Sequence, residues 1–133
     1  MRKIIIFYTM ALILLSCQNN RLNHLEKNIV NFLVSSKGNS ELILDTISNV
    51  TWDEIIIAGP YTNLEKISNY NFNAFPNTIK SHDSFILFGF INEKKGIKYF
   101  EISRNLVSDN IFENNNLEYK IYSKSESNLL ILK

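Results

Sequence analysis

His82-Asp83-Ser84 holds the three side chains of a hydrolytic triad in consecutive positions, and for that reason it cannot work as one. Nucleophile, base and orienting carboxylate must form one hydrogen-bonded row, which real triads assemble from distant segments. The other histidine is His24, far away in sequence. No Gly-x-Ser-x-Gly, no phosphate-cradling glycine loop and no His-x-x-x-His pair occurs. Asp53 and Glu54 are adjacent in an extended run, so their carboxylates point to opposite faces and share no substrate. These residues imply no catalytic centre, no metal site and no cofactor. Pro60-Tyr61-Thr62 allows two readings. One is a rigid strand-to-helix turn, with Pro60 fixing φ and the Thr62 hydroxyl as cap. The other is a small anion or carboxylate pocket at the start of the helix, completed by Arg104.

Cys17 is the only cysteine, and its setting gives it a chemistry. Arg2 and Lys3 precede an apolar run from Ile4 to Leu15, then Ser16, Cys17 and the polar Gln18-Asn19-Asn20. Basic start, short apolar core and small residue before a cut are the parts of a secretory signal peptide. The run falls short of the ~20 apolar residues that span a bilayer. Leu14-Leu15-Ser16-Cys17 resembles the lipobox of bacterial lipoproteins. That resemblance implies a signal peptide over 1–16, acyl groups on Cys17 and a lipid-anchored place on the cell envelope. By the same resemblance, Gln18 is not the acidic retention signal of such lipoproteins, which implies the outer membrane rather than the inner in a cell with two. Two or more acyl chains hold stably, at about 0.8 kcal/mol per buried methylene.

Losing residues 1–16 also changes the charge. Arg2 and Lys3 leave a pool of 14 basic residues facing 13 acidic ones, so a formal charge of +1 becomes about −1. The remaining charges are scattered, without the basic stripe that offsets phosphate, so no nucleic-acid partner is expected. With Cys17 acylated the mature chain has no thiol, hence no disulfide or thiolate site.

These residues are positioned by elements that the apolar pattern predicts. We read 17–23 as a lipidated tether and 24–133 as a single globular domain. Leu22, Leu25, Ile29, Phe32 and Leu33 have helical spacing, with Gly38 as a C-terminal cap. Glu41–Leu44 begins the strands, and Ile55-Ile56-Ile57 reads as a central strand covered on both faces. Thr62-Asn63-Leu64-Glu65 reads as a capping box opening a short helix to about Ser68. Asn69–Asp83 is an irregular segment pinned by Tyr70, Phe72 and Phe75. Ser84–Ile91 and Ile97–Ser103 form a hairpin around a five-residue loop, Asn92–Gly96. Leu117–Tyr122 and Asn128–Leu132 are the last strands. The class is α+β: one mostly antiparallel sheet of five or six strands with one or two helices packed on a face.

Trp52-Asp53, the aliphatic run, Pro60-Tyr61-Thr62, the apolar hairpin and Arg104-Asn105 together resemble a group of small bacterial lipoproteins and secreted proteins, over about residues 40–110. The resemblance implies fold and location and donates no activity. Trp52 itself reads as a core plug. The functional expectation is a non-catalytic, lipid-anchored module that binds an envelope protein, with the rings of Tyr70–Phe75 as contacts. Pro60, Tyr61, Thr62 and Arg104 form the candidate binding surface. The alternative is a small envelope hydrolase or sugar-binding enzyme whose dispersed acidic residues converge in a pocket.

Overall fold

The computed structural model describes residues 20–35, 40–107, 118–127 and 129–132. Along them run α1 (Asn23–Ser35), β1 (Ser40–Ile43), the short α2 (Leu44–Ser48), β2 (Glu54–Ala58), β3 (Phe85–Asn92), β4 (Lys95–Ser103), β5 (Tyr119–Ser123), the one-turn α3 (Lys124–Ser127) and β6 (Leu129–Leu132). The class is α+β, with an open antiparallel sheet in the order β4-β3-β2-β5. The expected sheet of five or six strands is corrected: β1 and β6 pair only with each other, as a separate two-stranded sheet. The reason is local. Helical turns α2 and α3 stand between these four-residue strands and their neighbours β2 and β5, and carry them out of the main register.

The isoleucine triplet occupies the centre of the sheet, and its faces are both covered, as its all-apolar pattern requires. On one face Ile55, Ile57, Phe88, Phe90 and Phe100 meet Leu25 and Ile29 of α1, together with Trp52. Trp52 is 3% exposed and packs on Phe90 with ring centroids 5.4 Å apart. On the other face Ile56, Ala58, Leu87 and Ile91 meet Leu64, together with Phe72, Phe75 and Ile79 of the irregular segment. The rings of that segment are layered: Tyr70 stacks on Phe72 at 5.5 Å, and Phe72 on Phe75 at 5.4 Å. Gly89 and Gly96 make the slot for Phe75. A Cβ on Gly89 would lie 2.3 Å from the Phe75 ring, and one on Gly96 would lie 2.6 Å from it.

Three local expectations are corrected. The hairpin loop has two residues, not five: Asn92 pairs with Lys95, and Glu93 and Lys94 take φ of 49° and 64°. That is the mirror-image turn that matches strand twist, built here without its usual glycine. The capping box does not form. Leu64–Lys66 is a single 3-10 turn, capped by Asn63 Oδ1 accepting from the Glu65 N–H at 3.2 Å. Thr62 instead directs its hydroxyl at the Gly59 and Glu118 carbonyls, at 2.7 and 2.6 Å. Finally, α1 runs from Asn23, with Leu22 just before it: the Leu22 carbonyl accepts the Leu25 and Glu26 N–H at 3.0 and 3.1 Å, while its own N–H goes to the Tyr99 carbonyl at 2.7 Å. The expected cap at Gly38 lies outside the described residues.

Candidate functional site

The residues singled out from the sequence lie at one end of the sheet, where β2 and β4 stop and β3 starts. Pro60-Tyr61-Thr62 follows β2 immediately. Tyr61 adopts φ 67°, a left-handed conformation that a bulky residue enters at a cost, and its N–H is held by the Ile79 carbonyl at 2.8 Å. The outcome is a ring 59% exposed on a fixed backbone. Thr62 is buried, so its hydroxyl faces the interior and not a ligand. Arg104 follows β4, with its N–H given to the Ser84 carbonyl at 2.9 Å and its side chain exposed. β3 separates β4 from β2, so Arg104 stands about two strand spacings, roughly 10 Å, from the β2 line. No hydrogen bond or ion pair joins it to Tyr61 among the described residues. Cys17 lies outside the described residues.

Phe85 adds to this end. It opens β3 opposite Ser103 and is 42% exposed. Sequence reasoning placed the exposed rings in Tyr70–Phe75 instead, yet Phe72 and Phe75 are each only 7% exposed. Their burial follows from the glycine slot, which no local pattern announces. Beside Phe85 runs a groove of about 510 Å³ between α1 and the end of β4, lined among others by Val30, Glu101 and Leu106.

Two charge clusters lie at the sheet's rims. At the β4 edge Arg21 binds Glu26 through two nitrogens, at 2.9 and 3.2 Å, and Glu101 at 3.0 Å. Glu26 also accepts the Glu101 N–H at 2.9 Å. The bond to Glu26 raises the Arg21 guanidinium pKa. Burial pushes the Glu101 carboxyl above its usual value, with Arg21 opposing the shift. At the hairpin end Lys94 Nζ reaches the Glu54 carboxylate at 2.8 Å and the Tyr70 hydroxyl at 2.9 Å. Tyr70 in turn donates to Glu54 at 3.1 Å. The bond to Glu54 holds the Lys94 ammonium charged, its pKa raised well above the usual lysine value. Asp53 accepts the Glu93 N–H of the same turn at 3.1 Å.

The second cleft, of about 360 Å³, adjoins that hairpin cluster and is walled by Tyr70, Phe72, Phe75 and the amides of Asn71, Asn73 and Asn77. Among the described residues, no group of three His, Cys, Asp or Glu is placed to hold a metal ion. His82 and Ser84 are exposed, and Ser84 bonds its neighbour Asp83 at 3.1 Å, a local contact without a base in line. Chemically, the arrangement offers exposed aromatic and cationic contacts on a rigid sheet end, and carboxylates committed to structural pairs. No family model, curated protein or solved structure matches this chain.

Proposed function

We propose that this chain is a lipid-anchored bacterial envelope protein, held by acyl groups on Cys17, that works by binding an envelope protein partner at the sheet end carrying Tyr61, Phe85 and Arg104. The anchor rests on Leu14-Leu15-Ser16-Cys17 behind Arg2-Lys3. The resemblance of the Trp52–Arg104 string to small lipoproteins supports the same address, with delivery to the outer membrane where a cell has two. The observation that carries the binding reading is Tyr61. A ring 59% exposed, on backbone fixed in a costly conformation, needs little ordering when a partner covers it. Aromatic and arginine side chains also supply most of the energy of protein interfaces. The test is photo-crosslinking in intact cells from a reactive residue at position 61, with one at Glu126 as control. A discrete adduct from position 61 alone, lost on Arg104→Ala, is the expected result. Equal or absent adducts from both positions would reject the reading.

A second reading, a small envelope hydrolase or sugar-binding enzyme, is favoured by one observation: Glu26 and Glu101 converge on Arg21 beside the larger groove, and Glu101 has a raised pKa. Against it, Glu26 is fully occupied by Arg21 and the Glu101 amide, which makes the trio a clamp between α1 and β4. Cell-wall glycan turnover by the purified protein, abolished by Glu101→Gln in a protein that still folds, would establish this reading in place of the first.

A further inference from the structure

The short distance between lipid and fold sets how the domain sits on its membrane. Asn20 already belongs to the fold: its carbonyl accepts the Tyr99 N–H at 3.0 Å, and its amide donates to the Ala74 carbonyl at 3.3 Å. Leu22 gives its N–H to the Tyr99 carbonyl at 2.7 Å, so residues 20–22 lie along the outer edge of β4. Residues that the sequence assigns to the tether are therefore docked. Three peptide units separate Cys17 from Asn20, a reach of about 11 Å at most. The Arg21–Tyr99 bridge is parallel, so residues 20–22 run with β4 toward Ser103, and the same edge at Lys95 and Gly96 is taken by Asn71.

Resting on the lipid-anchored reading, we infer that the surface meeting the lipid headgroups is the β4 edge with the β3–β4 turn, and that the Tyr61 end points away from the bilayer. Lys95 is exposed and stands on β4, one strand spacing across from the docked segment and three residues, roughly 10 Å, before the level of Asn20, within the reach of the three peptide units. Tyr61 follows β2, three spacings across from that segment, or roughly 14 Å, and further along toward the opposite end. The tether is too short to bring the acylated residue there. A surface that binds a partner is thus kept clear of the headgroups by the register of a single edge contact.

With Cys17 acylated, an introduced cysteine is the only free thiol, because the chain has one cysteine in all. The lipidated full-length product carrying Lys95→Cys or Lys80→Cys is labelled with a fluorophore and reconstituted in phosphatidylcholine vesicles holding a headgroup spin label. Lys80 is exposed and follows Ile79, whose carbonyl holds the Tyr61 N–H. The expected result is quenching several-fold stronger at position 95 than at 80. Inserting ten Gly/Ser residues between Asn19 and Asn20 frees the domain and should remove most of that difference. Equal quenching, or stronger quenching at 80, overturns the orientation while leaving the anchor intact. Intact mass separates the two failures: a product without acyl groups overturns the anchored reading and the orientation with it.

Discussion

Adding one methyl to Gly89 should destabilise the fold, and the cost should belong to Phe75. The new Cβ would fall 2.3 Å from the Phe75 ring and 2.9 Å from Ile56 Cγ2, where about 3.4 Å is needed. The ring must retreat by roughly 1 Å or more, and overpacking of this kind costs about 1–3 kcal/mol. It cannot slide along the sheet, because Gly96 sits against the same ring, and it is held by Phe72 and by Tyr99 at 5.7 Å. Removing the ring by Phe75→Ala costs about 3–5 kcal/mol by itself. In that background the two shortest contacts of the new Cβ are gone, the Ile56 methyl at 2.9 Å remains and strand propensity is gained, so the cost of Gly89→Ala should fall to within about 1 kcal/mol of zero. Urea unfolding of residues 18–133, followed by the fluorescence of Trp52, the only tryptophan, reads all four proteins. For Gly89→Ala alone the midpoint should drop by about 0.7–2 M, with m near 1.5 kcal/mol/M. A double-mutant coupling below about 0.5 kcal/mol would refute the glycine-slot account.

Glu101 gives a pH signature. Its folded pKa is raised, so the folded chain binds this proton more tightly, and the group's contribution to stability is lost as pH rises through the raised value. Between pH 7 and pH 4.5 the wild-type urea midpoint should therefore gain on that of Glu101→Gln as pH falls; a constant gap, or one moving the other way, contradicts the assignment. Thr62→Val leaves the Glu118 and Gly59 carbonyls without its hydroxyl and should cost about 1–3 kcal/mol, whereas Thr62→Ser should retain most of the stability; equal losses in the same unfolding assay would contradict this. Glu93→Asn puts a residue tolerant of left-handed backbone at φ 49° while keeping the N–H that Asp53 accepts, and should stabilise by about 0.5–1 kcal/mol, read as a higher midpoint.

The fold was legible where burial repeats along an element. Ile55–Ile57 and the run from Ile86 to Ile91 carry apolar residues at every position but Gly89, and only a sheet covered on both faces accommodates that. Leu25 and Ile29 marked the buried stripe of α1 in the same way. What could not be read depends on contacts distant in sequence. Glu93 and Lys94 carry no turn signature, and their left-handed backbone is held from outside by Asp53 and Asn71, while Glu54 holds the Lys94 side chain. Thr62 looks like a helix cap because its spacing to Glu65 fits, yet Glu118, 56 residues further on, claims its hydroxyl. Four-residue strands such as β1 and β6 have too few side chains for the pattern to say which sheet they join. At the candidate site the sequence pointed to Tyr61 and Arg104, but not to Phe85, whose next six residues in β3 are all buried and give it the look of a core residue. The Arg21–Glu26–Glu101 clamp was equally hidden, since it joins residues 80 positions apart.

The central claim is that acyl groups on Cys17 hold a folded binding domain on the envelope, and fatty-acid labelling in growing bacteria tests it most directly. Wild type and Cys17→Ser are expressed with a labelled fatty acid and separated by detergent phase partitioning. The account predicts label and detergent-phase partitioning for wild type, and an unlabelled, unprocessed precursor for Cys17→Ser. Equal labelling of the two proteins, or none in either, would contradict it.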